Sequence, residues 1–163
     1  MNGKLPQAGW ALAALSLVAG CGGGDDRPEP VAARSFEDPG FVRSGEFEMR
    51  YGLLLADELN PAVAKAYGID RRPDRVVVNV SILDSSPGST PQPVEADVRG
   101  TYRTLTREPR PLEFRRVVEQ ESVSYLAEFG FRNREAVVIE FESLPPGGGP
   151  ALRAKLTRTF ETR

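Results

Sequence analysis

The chain has 163 residues, 40% hydrophobic and 27% charged, with a formal net charge of −2, values that fit one globular domain. Acidic and basic residues interleave through 99–116, so no broad basic field attracts nucleic acid and no acidic tail mimics it. The absence of histidine removes serine–histidine and cysteine–histidine hydrolases and most zinc or copper enzymes, leaving carboxylates as the catalytic option.

Lys4 gives a short positive start, and residues 10–19 form an apolar run. That run is too short to cross a bilayer core of about 30 Å as a helix, but it suits a secretory signal. Leu17-Val18-Ala19-Gly20-Cys21 resembles the bacterial lipobox. The resemblance implies that 1–20 is a lipoprotein signal peptide and that Cys21 is lipidated after cleavage. Cys21 is also the single cysteine, so no internal disulfide competes for its thiol. Each buried methylene contributes about 0.8 kcal/mol, so two or three acyl chains hold a protein firmly.

Gly22-Gly23-Gly24-Asp25-Asp26, Pro28 and Pro30 make 21–43 a flexible, solvated tether. Gly22 directly after the cysteine resembles lipoproteins passed to the outer membrane. The expected location is therefore the outer membrane, facing the periplasm, with the periplasmic face of the inner membrane as the alternative.

The folded part is expected over 44–163. Phe47, Met49, Tyr51, Leu53 and Leu55 alternate with Glu46, Glu48, Arg50 and Gly52, the period of a half-buried strand. A short helix follows over 60–68: Asn60 caps it, Pro61 suits its first position and Gly68 its left-handed stop. Val63 and Tyr67 share a face that must pack on the domain. Residues 75–83 are dense in valine and isoleucine and read as a central strand buried on both faces. Further strands are expected around Val94–Tyr102, Leu112–Val118 (interrupted upstream by Glu108-Pro109-Arg110-Pro111), Val123–Phe131, Val137–Phe141 and Leu152–Phe160. Arg116 falls on the apolar phase of its strand, which places it near a sheet edge. About seven strands and one short helix predict an all-β antiparallel sandwich of immunoglobulin-like architecture, with a small β-barrel as the alternative.

The segment 60–69, then Val78-Asn79-Val80-Ser81-Ile82-Leu83, Leu112-Glu113-Phe114-Arg115 and Tyr125-Leu126-Ala127-Glu128-Phe129, resemble the envelope family catalogued as domain of unknown function 4426. The resemblance runs from about Gly45 to the C-terminus, and the helix segment is its most specific piece. It implies a small exported β-protein and brings no catalytic residue, cofactor or metal with it.

Candidate chemistry is sparse. Glu113, Glu119, Glu121, Glu128, Glu140 and Glu142 alternate with apolar residues for the most part, so they are expected to face solvent rather than converge as a hydrolase pair. Arg103, Arg107, Arg110, Arg115 and Arg116 suit phosphorylated headgroups in principle, but Glu108 and Glu113 dilute them, and a solvated edge is the favoured reading. Asn79 and Ser81 interrupt an apolar strand and are expected to find backbone partners. Tyr51, Tyr102 and Tyr125 are expected in the core with hydroxyls at its rim. Asn60 and Tyr67 remain as a candidate ligand or partner surface. No cofactor, catalytic residue, metal or nucleic-acid partner is expected. The leading expectation is a non-enzymatic, membrane-anchored module that binds another envelope protein; the alternatives are a carrier of a small apolar ligand and a carboxylate-dependent hydrolase.

Overall fold

The computed structural model describes residues 37–162; the signal 1–20, Cys21 and most of the tether lie outside the described residues. In chain order the elements are β1 (Glu37–Ser44), β2 (Phe47–Leu55), α1 (Pro61–Ala66), β3 (Arg75–Asp84), β4 (Gln92–Pro93), β5 (Asp97–Thr104), β6 (Arg110–Pro111), β7 (Arg115–Glu119), β8 (Ser122–Gly130), β9 (Ala136–Leu144) and β10 (Leu152–Thr159). They form two antiparallel sheets. One has the order β1-β2-β3-β8-β7, with β4 bridged onto β3; the other has the order β10-β9-β5-β6.

The expected sandwich is therefore present, and the barrel alternative is not: the two sheets stay separate, each with its own edge strands. All seven expected strands are found. Three more come from places where alternation gives no signal. β4 and β6 are two-residue bridges, one of them made by Arg110 and Pro111, which the sequence reads as an interruption. Pro111 is tolerated there because β6 is an edge strand. β1 occupies residues assigned to the tether, so the paired sheet starts before residue 44. Pro39 and Gly40 hide it in the sequence. Its Gly40 lies opposite Tyr51, and a Cβ at that position would collide with the Tyr51 ring.

Alternation on β3 explains the two cores. Val76, Val78, Val80 and Ile82 face the second sheet, meeting Ile139, Phe141 and Leu152 across the sandwich. Met49 and Tyr51 enter from β2, with the Tyr51 ring 5.4 Å from Phe141. The other face of β3 turns Val77 toward Leu126 and the helix, where Leu59, Val63, Ala64 and Ile69 cover both. Burying a side chain such as Val63 contributes about 1.5 kcal/mol, and this is what holds a helix of six residues.

The chain changes sheets between β4 and β5, pinned by the Ala96 amide, which donates to Tyr125 Oη at 2.8 Å. It changes back between β6 and β7. There Leu112 and Phe114 lie against Gly100, whose absent side chain leaves room: a Cβ would be 2.8 Å from the Glu140 carbonyl and 3.1 Å from Leu112 Cδ1.

The register gives the sandwich a distinct end. β1 begins opposite Leu53, Val76 pairs with Leu55, and Gly130 pairs with Arg75. In the second sheet Thr104 pairs with Val137 and Thr159 with Ala136. The start of β1, the β5–β6 hairpin, the β8–β9 turn and the end of β10 thus share one end. The residues preceding Glu37 join the domain here, so we call it the leader end.

Candidate functional site

Eight arginines are ion-paired with carboxylates among the described residues. Among the described residues Arg103, Arg107, Arg110 and Arg132 differ: their guanidinium groups have no hydrogen-bonded or ion-paired partner, although Glu140 attracts Arg103 at longer range, and all four line one pocket at the leader end. Arg103 comes from the end of β5, Arg107 and Arg110 from the hairpin, and Arg132 from the turn after β8. The pocket holds ≈ 140 Å³, with Tyr102 and Phe131 as its apolar wall and Glu108 and Glu135 at its sides. Thr104 also lines it, and its hydroxyl is buried without a hydrogen-bond partner.

Local structure explains the pocket. Tyr102 is stacked on Phe129 at 4.8 Å, and Phe131 packs at 5.3 Å from Phe160, so the aromatic wall belongs to the core. The Arg107 amide closes the hairpin on the Thr104 carbonyl at 3.3 Å, and the Glu135 amide closes the following turn on the Arg132 carbonyl at 3.0 Å. The hairpin of the smaller sheet and the turn that leads into it from the larger one therefore present their arginines to one space. The sequence brought three of these arginines to notice but not Arg132, which lies in a different turn. Arg115 and Arg116, grouped with them in the sequence, belong to β7 of the other sheet, where Arg116 pairs with Glu95.

A second depression, of ≈ 580 Å³, lies on the outer face of the smaller sheet. Its charges neutralise each other across strands, Arg153 to Glu142 at 2.7 Å and Lys155 to Glu140 at 2.8 Å. The hydrogen bond from Lys155 holds the Glu140 carboxyl below its ordinary value. This face is satisfied internally.

The remaining sequence candidates fall apart from one another. Asn60 is exposed and caps α1, its Oδ1 accepting from the Ala62 amide at 2.9 Å. Tyr67, at the other end of the helix, is half-buried and donates its hydroxyl to Glu119. Cys21 lies outside the described residues. Glu113 and Glu121 are exposed, and Glu128 is 3.4 Å from Arg75. Asn79 departs from expectation: it is 7% exposed, and its Oδ1, opposite Gly52 and Leu126 in the neighbouring strands, has no hydrogen-bond partner among the described residues.

Glu48 is the residue the alternation misplaced. It faces outward but is 2% exposed, because Arg43 and Arg50 fold over it with contacts of 2.6 and 2.5 Å. Burial works against its charge, but the hydrogen bonds from Arg50 and then Arg43 outweigh it and hold the carboxyl below its ordinary value. The signal was the turn at Gly45, which sets Arg43 opposite Glu48. Among the described residues no three potential ligands gather as a metal site, and no helix is long and apolar enough to cross a membrane.

No curated protein matches the chain. A crystal structure of a DUF4426 family protein from Pseudomonas aeruginosa PAO1 is 31% identical, with a TM-score of 0.65, and the match covers 79% of this chain and 99% of that one. The profile described as Domain of unknown function (DUF4426) matches residues 41–161. That stretch takes in nearly all of both sheets, α1 and the four pocket arginines, and the chain belongs to the DUF4426 family.

Proposed function

We propose that this protein is a non-enzymatic binding module of the bacterial envelope, held to a membrane by lipid on Cys21. One observation carries the reading: among the described residues four arginines without an ion pair collect at the end where the leader joins, while the strand carboxylates are paired or scattered. A site that recognises needs exposed, unsatisfied groups, whereas a carboxylate hydrolase needs two acids converging in a cleft. The carrier reading has less support, because Met49, Ile82, Ile139, Phe141 and Leu152 fill the space between the sheets. The outer membrane is the favoured address, on the strength of Gly22 after Cys21.

Anchoring is tested by feeding cells an alkynyl palmitate and fractionating them. The expected result is label on the wild-type chain, and loss of both label and membrane association in Cys21→Ala. An unlabelled wild type, or a Cys21→Ala chain that fractionates as before, overturns it. Crosslinking in whole cells tests the module itself, the expected outcome being a reproducible adduct with an envelope component.

A further inference from the structure

We propose that the leader-end pocket binds a phosphoryl group, presented by a lipid headgroup or by a soluble phosphate ester. The inference deepens the binding-module reading and rests on it, naming what that end of the domain holds.

The pocket's charge is the first argument. Folding brings Arg103, Arg107, Arg110 and Arg132 together with Glu108 and Glu135 as the acidic residues of the pocket lining, neither of them ion-paired to an arginine there; outside the lining, Glu140 attracts Arg103 at longer range. Four cations against two carboxylates leave an excess that suits a phosphate monoester, which carries about −1.5 to −2 at neutral pH. Elsewhere among the described residues, cations have met carboxylates of the chain itself in several places, as in Arg43 and Arg50 on Glu48.

Geometry is the second. The arginines come from β5, the hairpin and the β8–β9 turn, so they approach from more than one side. A tetrahedral phosphoryl group offers three acceptor oxygens pointing apart and can use such an arrangement, where a planar carboxylate offers two. Thr104 lines the pocket as well, its buried hydroxyl without a hydrogen-bond partner. Tyr102 and Phe131 keep one wall apolar, which strengthens charge-assisted bonds by lowering the local dielectric.

Size and position complete the case. At ≈ 140 Å³ the pocket is smaller than the roughly 300–1,000 Å³ of a drug-sized site, so it takes a headgroup and leaves the rest of the ligand outside. The start of β1 lies at the same end, so a chain anchored ahead of β1 brings this pocket toward the membrane surface.

The test uses the full chain in neutral detergent, titrated at low ionic strength with glycerol 3-phosphate, inorganic phosphate and citrate. In parallel, the Cys21→Ala chain is floated with phosphatidylcholine vesicles with or without phosphatidic acid. The expected result is saturable binding of a phosphate compound in at least one arm, weakened tenfold or more by Arg107→Gln with Arg132→Gln. Arg115→Gln, an unpaired cation outside the pocket, leaves it unchanged within twofold. Binding in the titration assigns a soluble ester; binding only to phosphatidic acid vesicles assigns a headgroup. No saturable binding in either arm overturns the proposal, as does tighter binding of citrate than of any phosphate, or equal weakening by Arg115→Gln. Both pocket arginines are exposed, and matching thermal unfolding of the variants shows that folding is intact. Failure here leaves the palmitate labelling untouched, and failure of anchoring leaves the titration untouched. Release of inorganic phosphate from the ester would overturn the non-enzymatic reading while keeping the pocket.

Discussion

Glu48 shows how a single side chain links charge to stability. Its carboxyl is buried yet held below its ordinary value by Arg50 and Arg43, so it stays charged in the folded state at pH values where it takes up a proton in the unfolded one. A lowered folded value gives stability that is full above the unfolded value and lost as pH falls through the folded one. Wild-type stability should therefore drop below about pH 4, and Glu48→Gln should flatten that drop in urea titrations at pH 5 and pH 3. Arg50→Ala should cost about 1 kcal/mol, toward the low end for a charged hydrogen bond, because Arg50 is itself more than half exposed. None of this is visible in period-two alternation, which marks direction but not cover. Gly100 is the complementary case. Gly100→Ala should cost about 1–3 kcal/mol, read by chemical unfolding, because its Cβ would press on the Glu140 backbone rather than on a movable side chain.

At the level of elements, α1 was the most legible part of the chain. Asn60, Pro61 and Gly68 spell its start and stop, and the structure has the Asn60 cap, Pro61 in the first turn and Gly68 at φ +60. Asn60→Ala should cost about 1 kcal/mol, and Val63→Ala about 2 kcal/mol through the cavity left over Val77 and Leu126. Both losses should appear in equilibrium unfolding with phosphate binding unchanged, since neither residue lines the leader-end pocket. The long strands were legible for the same reason: Val76 to Ile82 must bury one face under the second sheet. The short pieces were not. β4 and β6 exist because a neighbouring strand offers a partner, and β1 carries Pro39-Gly40 instead of an alternating pattern. Pairing of that kind is a tertiary fact.

For the molecule as a whole, the sandwich and its family membership follow from patterns read along the chain, while the candidate site does not. Arg107 and Arg132 sit in different turns, and the pairing of β5 with β9, Thr104 opposite Val137, is what brings those turns side by side. Residues 99–116 look electrically mixed in sequence, and most of the arginines there would be taken for solvated charges. Folding sorts them, sending Arg116 to Glu95 and leaving Arg103, Arg107 and Arg110 for Arg132 to join.

That β1 starts and β10 finishes at the same pole has a practical corollary. A fluorescent reporter or affinity handle fused behind the last strand would crowd the arginines and stand between the domain and whatever it meets there. The β3–β4 and β9–β10 loops, around Gly88 and Gly147, lie at the opposite pole, where both glycines have open space beside them. Insertions at those loops are the way to make the protein visible without obstructing it.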